Sequence, residues 1–119
     1  MSVTYLWPYP PSVNHLYRRR KQGGMFKSTE WAQWFKDTNR FMAAQGAKLA
    51  RFGGPVRVEY IVARPDKRRR DVTNLIKPLD DMLEDLGVVD NDCQIVDCRI
   101  AWDTEGRVAN GLMVTVEAI

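Results

Sequence analysis

The sequence predicts a single α/β domain, a mixed sheet with helices packed on it, in the element order β-α-β-α-β-β. Three observations predict this fold. Short runs in which apolar and polar residues alternate are typical of strands, and they flank two longer runs with apolar residues at helical spacing. A length of 119 residues suits one domain with a modest core. Neither a repeat nor a low-complexity segment divides residues 1–119, so we expect one domain throughout.

The first half of the chain predicts a strand, a loop and a long helix. Val3, Tyr5 and Trp7 alternate with more polar neighbours, and prolines end this first strand. A mobile basic loop is expected at about 12–27. Ser28 is a preferred helix cap. Beyond it, a core stripe at helical spacing comprises Trp31, Trp34, Phe35, Thr38, Phe41, Met42, Gln45 and Leu49, with a stop predicted at residues 53–55.

The second half predicts a strand, a helix and two more strands. Val56, Val58, Tyr60 and Val62 alternate as a strand, and residues 95–102 and 112–116 are expected to pair as a final hairpin that makes the sheet mixed. The second helix has a core stripe of Leu75, Leu79, Met82, Leu83 and Leu86.

Pro78 limits where that second helix can begin. A proline deep inside a helix costs roughly 3 kcal/mol, so the helix is expected to start late, near Thr73 or Asn74. This start leaves Asp71 in the preceding turn and brings Pro78 close to the first helical turn. Opposite the core stripe lies a polar stripe of Asp71, Asn74, Lys77 and Asp81.

The net charge of +3 conceals a strong asymmetry. Residues 1–70 carry +11 and residues 71–119 carry −8. Two runs of four cations, residues 18–21 and 67–70, are costly to hold together unless a polyanion neutralises them. Although charge asymmetry is often only a solvated surface, this clustering favours nucleic-acid binding, and aromatic residues among the cations of the loop fit that role.

Composition also argues against several classes of protein. The first ten residues lack the features of a signal peptide, and no apolar run is long enough for a membrane helix. We therefore expect a cytoplasmic protein. Cys93 and Cys98 are five residues apart in an apparent strand and should point to opposite faces, so a disulfide between them is not expected. A single histidine leaves no zinc-binding set.

Carboxylates and a lysine beside cationic runs suit metal-assisted phosphodiester chemistry. Mg²⁺ prefers carboxylate oxygens, and a lysine can neutralise charge that builds on phosphoryl oxygens. Asp71 and Asp92 are the best candidate ligands and Lys77 the candidate lysine. The alternative is purely structural: Asp71 caps the helix, while Lys77 and Asp81 form an i, i+4 surface pair.

Three segments carry a family resemblance. Residues 7–14 read WPYPPSVN, residues 65–77 read PDKRRRDVTNLIK, and residues 87–97 read GVVDNDCQIVD. The first resembles the proline-rich opening, with its asparagine, of the RusA endodeoxyribonucleases, which resolve Holliday junctions. The second is similar to that family's signature of basic residues followed by an acid, an asparagine and a lysine. The third looks like its acidic turn before a strand, and the likeness spans nearly the whole chain.

The resemblance implies a Mg²⁺-dependent homodimer that makes paired nicks across branched DNA, a four-way junction. It matches Asp71 and Asp92 to the family's metal-binding acids and Lys77 to its catalytic lysine. The residues expected to contact DNA are Asn14, His15, Tyr17, Arg18, Arg19, Arg20, Lys21, Lys27, Lys67, Arg68, Arg69 and Arg70.

Thr73 departs from the family pattern, which commonly has a second acid at that position. The loss of a carboxylate should weaken Mg²⁺ binding, although a threonine hydroxyl can ligate Mg²⁺ and Asp81 and Asp90 are further candidate ligands. An active nuclease is the preferred interpretation. The alternatives are a branched-DNA-binding protein without cleavage and a small interaction domain whose basic loop meets an acidic protein.

Overall fold

The computed structural model describes residues 1–11, 13–19 and 25–119, apart from the side chains of residues 13, 14 and 19. Two short 3-10 turns, Val72–Leu75 and Asp92–Gln94, precede the last helix and the fifth strand. In chain order the strands and helices are β1 (Ser2–Trp7), α1 (Val13–Leu16), β2 (Tyr17–Arg19), β3 (Met25–Lys27), α2 (Thr29–Ala44), β4 (Val56–Val62), α3 (Ile76–Asp85), β5 (Ile95–Trp102) and β6 (Leu112–Ala118).

The main sheet has the strand order β1-β6-β4-β5. Strand β6 runs antiparallel to both β1 and β4, whereas β4 and β5 are parallel. The predicted mixed sheet is therefore confirmed. Its central strands present apolar side chains to the core, with Val58, Tyr60, Val114 and Val116 all fully buried.

The predicted final hairpin is wrong, because β4 lies between β5 and β6 in the sheet. The sheet is mixed for a different reason. The chain leaves β4, passes through α3 and returns as β5 beside β4, and such a helical crossover produces parallel strands. Strand β4 takes the interior position with Val56, Val58, Tyr60 and Val62 buried on one face. On the other face Ile61 is buried and Arg57 is half exposed.

Helix α2 begins where the sequence predicts and ends earlier. The Ser28 hydroxyl accepts a hydrogen bond from the Trp31 N–H at 3.2 Å, as expected of the cap. Gly46 ends the helix: it adopts a φ of 64°, and its N–H and that of Ala47 bond back to the carbonyls of Ala43 and Met42. The predicted stop at residues 53–55 is therefore wrong, since a left-handed glycine closes the helix first.

The core stripe of α2 is correspondingly shorter than predicted. Trp31, Trp34, Thr38 and Met42 are buried. Phe41 is 39% exposed on the outer side of the helix, and Leu49, 43% exposed, lies beyond its end.

Helix α3 starts late, as Pro78 requires. The 3-10 turn comes first and the α-helix begins at Ile76, which places Pro78 in the first turn. Leu75, Leu79, Met82 and Leu83 are buried, which confirms most of the predicted core stripe.

The described part of residues 12–27, which were predicted to form a basic loop, contains α1 and a short hairpin of β2 and β3. Tyr17 and Lys27 face each other at the base of this hairpin. Both cysteines are free thiols. In the part of the chain that the structure describes, no helix is both long and apolar enough to cross a membrane.

Candidate active site

An open groove of about 1140 Å³ lies where the chain passes from β4 towards α3. Its floor and walls combine cations with prolines and an aromatic ring. The lining residues are Tyr9, Pro10, Pro11, His15, Pro65, Arg68, Arg69, Arg70, Asp71, Thr73, Asn74, Leu75 and Lys77. The predicted central motif and the proline-rich opening therefore line the same groove.

Asp71 is placed in this groove by extended backbone just before the 3-10 turn. Its carbonyl accepts the Asn74 N–H at 3.2 Å, but its carboxylate makes no capping hydrogen bond. The backbone of Asp71 thus occupies the N-cap position of the 3-10 turn, as the structural alternative expects, but its carboxylate does not cap and is left to the groove. Thr73 and Asn74 are exposed beside it in the same groove.

Lys77 joins the groove to helix α3. It lines the groove, and its Nζ lies 3.2 Å from Oδ2 of Asp81. The Lys77 side chain is 72% exposed, whereas that of Asp81 is only 15% exposed. The i, i+4 pair that the sequence offered as an alternative is present. It still leaves the ammonium open to the groove.

Asp81, the partner of this lysine, belongs to a group of three carboxylates. Single oxygens of Asp81, Glu84 and Asp92 all lie within 4.8 Å of one another, and such a group could hold a metal ion. Asp92 opens the second 3-10 turn, which a capping box between Asn91 and Gln94 holds in place. Oxygen donors alone, and carboxylates in particular, suit a hard divalent cation.

Gln94 fixes the turn that presents Asp92. Its side-chain oxygen accepts the backbone N–H groups of Asp90 and Asn91 at 2.8 and 3.2 Å. Its amide nitrogen donates to the carbonyls of Phe52 and Gly54 at 2.7 and 2.9 Å. The acidic turn is thus attached to a separate part of the chain, which limits its freedom to move away from α3.

Asp80 adds a fourth carboxylate to this side of α3. Its Oδ1 accepts a hydrogen bond of 2.6 Å from the Tyr60 hydroxyl. Burial raises the pKa of Asp80, and the nearby charges of Asp92 and Asp81 raise it further, against the lowering effect of the Tyr60 bond. The acids therefore repel one another, as groups do that share a site for a cation.

The structure brings only some of the predicted ligands together. Among the described residues, Asp81 and Asp92 belong to the acidic group, Asp71 and Asp90 lie outside it, and Thr73 lies in the groove. Sequence reasoning missed Glu84 and Asp80. The signal for Glu84 was available, because it follows Asp81 by three residues and Lys77 by seven, which continues the polar stripe along one helical face.

Asp66 organises the second cationic run. Arg70 donates to both oxygens of Asp66, at 2.7 and 3.2 Å, and the Arg68 N–H donates at 2.9 Å. The bond from Arg70 holds the pKa of Asp66 below its usual value. Arg69, by contrast, has no ion pair among the described residues. Arg69 therefore lines the groove as a cation that is not paired with a carboxylate among the described residues, unlike Arg68 and Arg70.

The other predicted DNA contacts lie in several parts of the fold. His15 lines the groove and Lys67 is exposed. Arg18 pairs with Glu30 at 3.4 Å, and Lys27 pairs with Asp85 at 2.8 Å. Tyr17 is half-buried, and its hydroxyl donates to Asp81 at 2.6 Å. Arg20, Lys21 and the side chains of Asn14 and Arg19 lie outside the described residues.

A cationic groove with an exposed lysine and adjoining carboxylates is typical of enzymes that cleave phosphodiester bonds. The fold and the site therefore define a nuclease. The comparison with known families agrees. The family model described as "Endodeoxyribonuclease RusA" matches residues 8–117. This chain belongs to the RusA family of endodeoxyribonucleases, as the sequence motifs predicted.

Curated relatives support the same membership. The chain is 34% identical over 97 residues to the crossover junction endodeoxyribonuclease rusA of Enterobacteria phage HK97, a match that covers 81% of this chain and 78% of the relative. It is 33% identical over 93 residues to the enzyme of that name from Escherichia coli (strain K12), covering 78% and 76% of the two chains. The relative from Enterobacteria phage 82 is 32% identical with the same coverage.

Proposed function

We propose that this protein resolves four-way DNA junctions by Mg²⁺-dependent hydrolysis, making paired nicks in two strands. The relatives named above are crossover junction endodeoxyribonucleases, and the chain shares their family along most of its length. The observation that carries the proposal is the position of Lys77. It lies at once in a cationic groove and beside a carboxylate group, so a DNA strand in the groove reaches the acids through this lysine.

The carboxylates fit a divalent cation on the chemistry of their donors. Asp92, Asp81 and Glu84 offer three hard oxygens close together, and Asp71 offers another at the groove. We assign Asp92 and Asp71 as the principal ligands, with Asp81 and Glu84 supporting Asp92. Bound Mg²⁺ supplies water activation and neutralises phosphate charge in this class of reaction.

Lys77 and Asp71 have separate roles in the proposed reaction. The Lys77 ammonium, largely exposed, is free to turn from Asp81 towards a phosphate in the groove. There it stabilises negative charge that develops on the phosphoryl oxygens. Asp71 has an extended backbone and a carboxylate that caps no helix, so it remains available on the groove side.

The lining of the groove is suited to bind the DNA backbone independently of the base sequence. Arg68, Arg69 and Arg70 line the groove together with Tyr9 and its neighbouring prolines. Cations that track phosphates beside aromatic or planar side chains are typical of strand-binding grooves. If six to ten phosphates are engaged by the groove and the hairpin, affinity should fall about 10³- to 10⁵-fold between roughly 50 and 200 mM salt.

A homodimer follows from the proposed substrate. A four-way junction presents equivalent strands related by two-fold symmetry, and paired nicks require two active sites with the same symmetry. Strand β1 forms one edge of the sheet, and Leu6 on it is 44% exposed, which is consistent with an interface on the first strand. Sedimentation should give a dimer at micromolar concentration. A monomer throughout that range would contradict paired cleavage.

The decisive experiment is nicking of a mobile four-way junction with Mg²⁺ and with EDTA. We expect paired nicks with Mg²⁺ only, preference for the junction over a linear duplex of the same sequence, and no turnover by Lys77→Ala. The second candidate function is branched-DNA binding without cleavage, favoured by Thr73 in place of an expected acid. Junction binding without any Mg²⁺-dependent nick would replace the first proposal with the second.

A further inference from the structure

Tyr17 contacts Lys77 in two ways. Its hydroxyl donates to Oδ2 of Asp81 at 2.6 Å, and Lys77 approaches the same oxygen at 3.2 Å. The Lys77 Nζ also lies 5.0 Å from the centre of the Tyr17 ring. An ammonium within about 6 Å of an aromatic face is attracted to it. Tyr17 therefore holds the lysine directly through its ring and indirectly through the carboxylate that both share.

The hydroxyl matters because Asp81 is far more buried than Lys77. Only 15% of the Asp81 side chain is exposed. Without the Tyr17 hydroxyl, its Oδ2 would lose its hydrogen-bond donor whenever Lys77 turned away. A buried carboxylate without a donor is costly. The Tyr17 hydroxyl is a donor to Oδ2 of Asp81 in its own right. Asp81 thus keeps one partner in both positions of the lysine.

Tyr17 is itself held firmly. Its ring lies 5.8 Å from that of Trp31, which is buried. One turn further along α3 the same arrangement recurs: Lys27 pairs with Asp85 at 2.8 Å and lies 4.8 Å over the Trp31 ring, and the Trp31 indole donates to Asp85 at 3.1 Å. Since Tyr17 and Lys27 face each other across the hairpin, its base is attached to α3 at two successive turns.

We propose that Tyr17 is the positioning residue for Lys77, holding the ammonium at the edge of the groove and keeping Asp81 hydrogen-bonded when the lysine moves to the substrate phosphate. This inference rests on the proposed function of Lys77. It assigns Tyr17 a role in the rate of cleavage rather than in DNA affinity. It also makes the β2–β3 hairpin, through its base, part of the support of the catalytic lysine.

The position of the lysine can be measured without any activity. Protons on the Lys77 Cε methylene should be shifted upfield by the Tyr17 ring, and the signal can be assigned by its loss in Lys77→Ala. We expect the shift to survive in Tyr17→Phe, which keeps the ring, and to disappear in Tyr17→Leu. An unshifted methylene in the wild type, or a shift unchanged in Tyr17→Leu, would overturn the proposed contact whether or not the protein cleaves DNA.

The role in cleavage needs single-turnover rates at saturating junction concentration. We expect about a tenfold slower rate for Tyr17→Phe and about a hundredfold slower rate for Tyr17→Leu, because small displacements of a catalytic group cost that much. Junction affinity should stay within about twofold of wild type. Tyr5→Phe is the matched control. It removes a hydroxyl that bonds to Lys48 and Ala50, away from the groove, and should keep the wild-type rate.

The outcomes separate the two proposals. Wild-type rates in both Tyr17 variants would refute positioning, and a loss confined to affinity would make Tyr17 a DNA contact instead. If the wild-type protein cleaves no junction, the proposed function fails, and the methylene shift alone still decides whether Tyr17 holds Lys77.

Discussion

The two sides of Lys77 differ in charge and in how that charge is stabilised. The groove side, residues 65–77, exposes cations that face solvent, with Asp66 pairing two of them. The acidic side, made of Asp80, Asp81, Glu84 and Asp92, gathers like charges and supports them with tyrosine hydroxyls. The first side carries the charge that a polyanion requires, and the second carries the charge that a cation requires.

This difference explains the charge asymmetry of the sequence. Part of the excess of +11 in residues 1–70 and of −8 in residues 71–119 is neutralised by ion pairs between the two halves, such as Lys27 with Asp85. On either side of Lys77, however, Arg69 lines the groove without an ion pair among the described residues, and Asp81, Glu84 and Asp92 lie close together. A bound DNA strand with a divalent ion would neutralise both groups of charges together. The comparison therefore predicts different consequences for substitutions on the two sides.

The largest expected effect tests whether the two sides form one active site. Asp71→Asn on the groove side and Asp92→Asn on the acidic side should each slow junction cleavage by on the order of 10³-fold, because each removes a charge that we propose holds the cation. Neither change opens a cavity, so binding measured by gel shift should persist or improve. Asp37→Asn, on the surface of α2, is the control. Loss of cleavage in only one of the two variants would break the single-site interpretation.

A second, smaller effect concerns the missing acid. Thr73 is exposed beside Asp71 in the groove, so Thr73→Asp adds a carboxylate without disturbing the core. We expect the Mg²⁺ concentration for half-maximal cleavage to fall by about tenfold, since affinity follows the number of charged ligands. Thr73→Asn provides a neutral control of the same shape. Equal Mg²⁺ requirements in the two variants would show that position 73 faces no metal.

Two neighbouring arginines should differ in their effect on DNA affinity. Arg69→Ala removes a cation with no ion pair among the described residues, whereas Arg70→Ala removes one that Asp66 already binds. The slope of log affinity against log salt should therefore fall by about 1 for Arg69→Ala and by less for Arg70→Ala. Titrations of a labelled junction at several salt concentrations measure both. A larger change for Arg70→Ala would reverse this assignment.

The smallest expected effect concerns stability on the acidic side. The raised pKa of Asp80 means that the folded protein binds a proton more readily than the unfolded chain. Its contribution to stability is present below the ordinary value of 3.8 and is lost as pH rises through the raised pKa. Asp80→Asn should therefore stabilise the metal-free protein at about pH 7, by roughly 0.5 kcal/mol because solvent screens a partly exposed group.

Chemical denaturation at about pH 7 and about pH 3 would test this sign. The gain in the free energy of unfolding should be present at the higher pH and absent at the lower one. A destabilised Asp80→Asn at neutral pH would mean that the Tyr60 hydrogen bond outweighs the repulsion among the acids.

Local sequence patterns predicted those features that depend on neighbours along the chain. Ser28 as a cap, the late start of α3 before Pro78 and the buried face of α3 each follow from one or two helical turns. The early end of α2 at Gly46 was missed because Gly53 and Gly54 gave a stronger stop signal. A single left-handed glycine suffices to end a helix.

By itself, the sequence determined the family, the fold class and the residue types that line the groove, because motif order and hydrophobic spacing are properties of the chain. Only the tertiary structure decided that β4 separates β5 from β6, since strand order depends on which buried faces pack best. It also decided that Glu84 joins Asp92, and that Tyr17 reaches Asp81 across 64 residues. No periodic pattern in the sequence predicts such contacts, because they form only when the crossover and the hairpin bring distant segments together.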